Sequence, residues 1–138
     1  MSTRSKIGII NTDGSIDAIY CHSDGYPSHQ TAILLDSYYS EERIRELINL
    51  GDISYLGHNI KPLTPEHTFD RPDPDTVIAY HRDRDEDWGD VSPRHYATKK
   101  EFLRNLYEPF AYLSKCKTQT WEYTKGSRFI PFTETITK

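Results

Sequence analysis

The sequence predicts an α+β fold: an antiparallel sheet made of an N-terminal hairpin, a central strand and a C-terminal meander, with two to three helices packed on one face. Three observations lead there. Two β-rich runs flank Asp13-Gly14, apolar residues recur at helical spacing before Gly51, and aromatic β-forming segments return after Pro109. Strands interrupted by helices without regular alternation disfavour a doubly wound parallel sheet. A chain of 138 residues suits one core, so 1–138 is read as a single globular domain.

The first hairpin is expected over 5–11 and 15–22, because Gly at a tight primed turn accepts the positive φ that other residues resist. Ser23-Asp24-Gly25-Tyr26-Pro27-Ser28 then ends the pairing, since Gly and Pro close together interrupt a strand. A helix follows from Pro27 or Ser28 through Tyr39. Ser40 is placed to cap a second helix, with Glu41 and Glu42 in the first turn, where the helix dipole favours negative charge. Ile44, Leu47 and Ile48 recur at helical spacing and Gly51 suits the stop.

Between Gly51 and Thr76 the pattern weakens; Ile53, Tyr55 and Leu56 are its anchors, and Pro62, Pro65, Pro72 and Pro74 stiffen it. Thr76–His81 reads as the central strand, and Arg82–Asp90 as a solvated charged loop. Thr98 and Glu101 fit a capping box for a short helix through Phe102, Leu103 and Leu106 that ends before Pro109. The meander runs through Phe110–Leu113, Thr120–Tyr123, a Lys125-Gly126 turn and Arg128–Ile130.

Composition narrows the function. The 17 Lys and Arg against 21 Asp and Glu leave a net charge of −4, which argues against non-specific duplex DNA binding, since it needs a basic footprint. No apolar run approaches the roughly 20 residues that span a bilayer, and Ile7-Gly8-Ile9-Ile10 is too short for an export signal, so no membrane partner and a cytoplasmic location are expected. Two cysteines, Cys21 and Cys116, make no disulfide framework. The charge is uneven: residues 1–98 hold 9 basic and 17 acidic residues, whereas 99–138 hold 8 and 4. In that basic tail Tyr107, Tyr112, Trp121, Tyr123 and Phe129 lie among Lys115, Lys117, Lys125 and Arg128, a pattern shared by single-strand stacking platforms and by the buried face of a meander.

Two polar clusters are candidates for chemistry. In the first, Tyr20, His22, Asp24 and Tyr26 stand where a strand leaves the sheet for a helix, and main-chain N–H groups exposed there favour anions. The second joins His67 to Tyr80-His81-Arg82-Asp83-Arg84-Asp85. Strand alternation would put Tyr80, Arg82 and Arg84 on one face, and paired guanidinium groups suit phosphate or carboxylate. The plainer alternative for each is a turn built from Asp and Gly, and mutual neutralisation of Arg and Asp. Asp83, Asp85 and Asp87 begin like a calcium loop, but Trp88 stands where Gly is needed and Arg94 where the bidentate acid belongs. With no Cys-x-x-Cys or His-x-x-x-His pair and no glycine-rich phosphate loop, neither metal nor cofactor is expected. Cys21 and His22 would point to opposite faces of a strand, which disfavours a thiol nucleophile with His22 as base.

Several segments together carry a resemblance. Ser2-Thr3-Arg4-Ser5-x-Ile7-Gly8, Ala18-Ile19-Tyr20-Cys21-His22-Ser23-Asp24-Gly25-Tyr26-Pro27, Leu34-Leu35-x-x-Tyr38, Leu50-Gly51-Asp52-Ile53-Ser54-x-Leu56-Gly57 and Ala79-Tyr80-x-Arg82-Asp83-Arg84 resemble a family of small bacteriophage and prophage accessory proteins over roughly residues 2–85. The chain departs from that pattern at Ser23, where Trp is usual, and at Asp85-Glu86, where Gly-Glu is usual. The resemblance implies a setting in the host cell cytoplasm, in host takeover or counter-defence, and no catalytic residues.

The expected function is therefore non-enzymatic binding of a host protein or of a small anionic ligand such as a nucleotide. Its surface would include Tyr20, His22, Asp24, Tyr26, His67, Tyr80, Arg82 and Arg84. One alternative is a small hydrolase or nuclease that uses His22 and Asp24 with His67 or His81 for proton transfer. Another is a structural or virion-associated protein that forms a homo-oligomer through a strand edge or an apolar patch.

Overall fold

The computed structural model describes residues 3–115, 120–125 and 128–131. Its elements are β1 (Ser5–Ile10), β2 (Ile16–Cys21), α1 (Pro27–Ser37), α2 (Glu41–Ile48), β3 (Ile53–Tyr55), β4 (Ile78–Ala79), α3 (Tyr80–Arg84), α4 (Trp88–Val91), β5 (Arg94–Tyr96), α5 (Lys99–Arg104), β6 (Phe110–Lys115), β7 (Thr120–Lys125) and β8 (Arg128–Pro131). The fold is α+β.

One sheet in the order β4-β3-β2-β1-β6-β7-β8 carries the fold, with β5 added on β2. It is mostly antiparallel, and the expectation of a purely antiparallel sheet needs correction. β1 pairs parallel with β6 (Ile7 opposite Tyr112), and β2 pairs parallel with β3 at Cys21 and Ile53. The parallel pairing of β1 joins strands far apart in sequence, so no local turn announces it. The first hairpin forms as expected, Ile10 opposite Ile16, but through a five-residue connection rather than a tight primed turn. Asn11 N–H donates to Ser15 O, Asp13 accepts from the Ser15 main chain and hydroxyl, and Gly14 takes the left-handed φ of 90°.

The two faces of the central strands bury separate cores. Ile7, Ile9, Ile19 and Cys21 point to one side and meet Ile33 and Leu34 of α1 and Ile44, Leu47 and Ile48 of α2. Ile16, Ala18, Ala111 and Leu113 point to the other and meet Phe102 of α5, whose ring lies edge-on to Tyr96 at 5.1 Å. Helices thus cover both faces, not one, because β1, β2 and β6 are apolar on both.

Capping follows the sequence. The Ser40 hydroxyl accepts from Arg43 N–H, and the Thr98 hydroxyl from Glu101 N–H. The central strand is shorter than expected. Pairing ends at Ala79, and Tyr80–Arg84 is a helical turn whose Asp83 carboxylate accepts from Ala79 N–H. The segment read as a solvated loop contains α3 and α4, with Asp87 capping α4 through Gly89 N–H. In the meander Tyr112 and Trp121 are buried, and the Trp121 indole donates to Tyr38 O at 2.9 Å, so these rings are core. Tyr107 alone of the tail aromatics noted above is largely exposed among the described residues. Cys116, Lys117 and Gly126 lie outside the described residues.

Candidate functional site

The outer edge of β2 is shared between two strands, and the division creates a cavity. β5 pairs with Ile16, Asp17 and Ala18, whereas β3 joins at Cys21. Ile19 and Tyr20 lie in the gap between them. The Tyr20 N–H, which no strand reaches there, donates instead to the carboxylate of Asp52 just before β3, at 2.9 Å. A cavity of about 220 Å³ opens at this gap, lined by Lys6, Tyr20, Asp52, Arg94, Tyr96 and Glu108 with Ala18 and Ile19. Lys6 sits opposite Tyr20 in the β1–β2 ladder, so both side chains project to the same face.

The lining holds two ion pairs of different quality. Arg94 Nη1 donates to both oxygens of Asp52 at 2.9 Å and to Ser92 O at 2.8 Å, while Nη2 donates to Asp90 O at 3.2 Å. Burial raises the Asp52 pKa, against the opposing pull of the Tyr20 N–H and Arg94. Lys6 is held loosely: its ammonium donates to the Tyr96 hydroxyl at 3.0 Å and to Asn105 O at 3.5 Å, and stays 3.9 Å from Glu108. Yet the Lys6 and Glu108 side chains are only 15% and 14% exposed. Ions that far out of water are costly unless closely paired, so this pair retains capacity for a further partner.

The hydroxyls complete the site. Tyr96 accepts from Lys6, which leaves its own proton to donate elsewhere. Burial raises the Tyr20 pKa, with Arg4 opposing it, so the phenol stays protonated at neutral pH and can donate to His22 Nδ1, 2.8 Å away.

Tyr20 is the one expected site residue that lines this cavity, and His22 reaches it through the Tyr20 hydroxyl. Asp24 takes a left-handed φ of 54° in the turn, and Tyr26 lies half-exposed against His29. The Tyr80–Arg84 cluster does not present a row of guanidinium groups, because it is helical rather than extended. Arg82 is spent as a staple. It donates to Ile60 O at 2.6 Å, to Val77 O at 2.7 Å and to both oxygens of Asp83. Burial alone would raise the Asp83 pKa, but Arg82, the Ala79 N–H and His67 hold it below the usual range.

The His67 side chain is 2% exposed. Its Nδ1 accepts the Asp73 N–H at 3.0 Å, which leaves the proton on Nε2, facing Asp83 Oδ2 at 3.2 Å. This contact ties the proline-rich loop to α3. Arg84 stacks over Phe69, 4.7 Å from its centroid, and over Tyr80, and pairs with Glu86. His81 Nδ1 faces Glu86 O at 2.8 Å, with its ring against Trp88.

No hydrogen bond or ion pair joins any two of His22, Asp24, His67 and His81 among the described residues. Burial pushes the Cys21 thiol up to about 12, and Sγ accepts from Gln30 and donates to Ser23 O, so it is a core group and not a thiolate. No group of three or more His, Cys, Asp or Glu side chains placed to hold a metal occurs among the described residues, and no helix there is long and apolar enough to cross a membrane. A second hollow, near Arg43 and Lys61, has its arginine committed to Ser37 O and His58 O.

Lys6, Asp52, Arg94, Tyr96 and Glu108 were not legible as a set. They come from β1, the start of β3, β5 and the β6 approach, and a single sequence gives no sign that these segments converge. The nearest signal was local: an acid, Asp52, beside a helix stop, and a lysine in an otherwise apolar strand. Comparison with protein-family models, curated proteins and solved structures finds no match to this chain.

Proposed function

We propose that the protein is a non-enzymatic binding protein that takes a small anionic ligand in the Lys6–Tyr96 cavity, in the bacteriophage setting that the sequence resemblance implies. The observation that carries this reading is the largely buried Lys6 side chain, whose ammonium is loosely paired with Glu108 at the edge of a preformed cavity. Arg4, outside the lining but within electrostatic reach of Tyr20, adds positive potential. An oxyanion would accept from Lys6 and from the Tyr96 hydroxyl, charge-assisted bonds that are roughly twice as strong as neutral ones. About 220 Å³ amounts to roughly seven water volumes of ~30 Å³ each. That accommodates a phosphate or a short carboxylic acid; of a nucleotide it accommodates the phosphate rather than the whole. Proton-transfer chemistry has less support, because the three histidines it would need are bonded elsewhere, and no bond joins them to one another or to Asp24 among the described residues.

Calorimetric and thermal-shift titrations with inorganic phosphate and with acetate test the reading. A saturable signal in the wild type that is lost in Lys6→Gln and retained in Arg84→Ala supports it. No binding of either probe, or binding unchanged in Lys6→Gln, overturns it.

A further inference from the structure

We propose that the natural ligand of this cavity is a zwitterion, an α-amino acid with a short side chain or a molecule with the same charge pattern; this rests on reading the cavity as the binding site. The lining is not simply basic. Lys6 and Arg94 alternate with Asp52 and Glu108, and the four charges differ in how fully they are used. Asp52 and Arg94 close on each other at 2.9 Å, with Asp52 also taking the Tyr20 N–H and Arg94 two further carbonyls, so that pair is satisfied by the protein. Lys6 and Glu108 are paired less closely: Lys6 donates to the Tyr96 hydroxyl and to Asn105 O at 3.5 Å, and its Nζ lies 5.4 Å from the Tyr96 ring centroid. Glu108 Oε1 accepts from the Tyr107 N–H at 3.2 Å and lies 3.9 Å from the lysine, beyond hydrogen-bond reach.

The cavity therefore offers one cation and one carboxylate side by side, with side chains mostly removed from water and too far apart to bond each other directly. A plain anion answers Lys6 but brings its charge against Glu108, a like-charge contact that costs affinity. A plain cation has the converse fault with Lys6. A molecule with a carboxylate and an ammonium one carbon apart answers both. Its carboxylate accepts from Lys6 Nζ and the Tyr96 hydroxyl, while its ammonium donates to Glu108. The volume of roughly seven heavy atoms, taking one per water, sets the size. Tyr20 and Ala18 form the wall that a short side chain would meet.

The test is calorimetry on the full chain with matched probes: propionate is alanine without its ammonium, and ethylamine is alanine without its carboxylate. Alanine is expected to bind about tenfold or more tighter than either of the others. In Glu108→Gln, alanine should fall to the level of propionate, and propionate should hold or improve, since the repelling charge is gone. Propionate binding as tightly as alanine in the wild type overturns the zwitterion proposal and leaves the anion site standing. Alanine affinity unchanged in Glu108→Gln also overturns it. Failure of phosphate and acetate alone removes the plain-anion reading; failure of alanine and propionate as well removes the cavity as a binding site and this proposal with it. The wild-type comparison decides the matter even if Glu108→Gln does not fold.

Discussion

Asp52 shows how one side chain builds a site without touching its chemistry. Its carboxylate stands in for a missing strand, taking the Tyr20 N–H while fixing Arg94, and it is 8% exposed. Asp52→Ala strands a buried donor and frees a cation, and is expected to cost about 3 kcal/mol in urea unfolding. Asp52→Asn keeps an acceptor for Tyr20 and should cost less; equal losses would show that the N–H contact contributes nothing. The Asp52 pKa is raised, so the folded state holds its proton more tightly than the unfolded chain does. Its contribution to stability therefore falls as pH rises from the ordinary 3.8 through the folded value. His95 is a basic counterpart. A hydrogen bond that its Nδ1 donates to Asp17 Oδ1, 2.7 Å away, raises its pKa above 6.5. The stabilisation this brings is present in full below 6.5 and is lost as pH rises through the raised folded value. An NMR titration should place the His95 midpoint above 6.5 and return it toward 6.5 in Asp17→Asn; an unmoved midpoint would reject the contact in solution.

At the scale of elements, α3 is where sequence and structure part. Alternation over Tyr80–Arg84 reads as a strand if the apolar run Val77-Ile78-Ala79 continues, but Asp83 turns back to the Ala79 N–H and the chain coils. A single short polar segment satisfies either period, so its tertiary partners decide. Those partners are the loop carbonyls of Ile60 and Val77, which Arg82 joins to Asp83. Removing Arg82 leaves an anionic Asp83 at 5% exposure without its main partner. Arg82→Ala is expected to cost about 3 kcal/mol, and Arg82→Lys to recover little of it, because an ammonium cannot span three acceptors in one plane. Hydrogen exchange over residues 59–77 should speed up in both variants; protection equal to the wild type would show that the loop is held by His67 and the Asp73 turn instead. The expected anion surface on this segment thus became a structural staple. The helices told more of themselves: Ser40, Thr98 and Pro27 mark starts that the structure keeps, because a cap is a contact between near neighbours.

For the whole molecule, the sheet is a shared wall. β1, β2 and β6 contribute side chains to both cores, so neither core can melt while the other keeps its strands. Ile9→Ala on one face and Leu113→Ala on the other are each expected to cost about 2–5 kcal/mol and to shift one common unfolding transition. Separate transitions by fluorescence and far-ultraviolet circular dichroism would reject that coupling. By itself the sequence determined what depends on near neighbours: the class of fold, the first hairpin, the capped helix starts, and the meander with its apolar aromatics. It also marked Tyr20 and His22, at a strand exit, as a place to look. Only the tertiary structure decided the parallel join of β1 to β6, the helices on both faces, the coiling of α3 and the cavity itself. The physical reason is the same for each. Lys6, Asp52, Arg94, Tyr96 and Glu108 interact across separations of tens of residues, and such contacts exist only once the chain has closed its sheet.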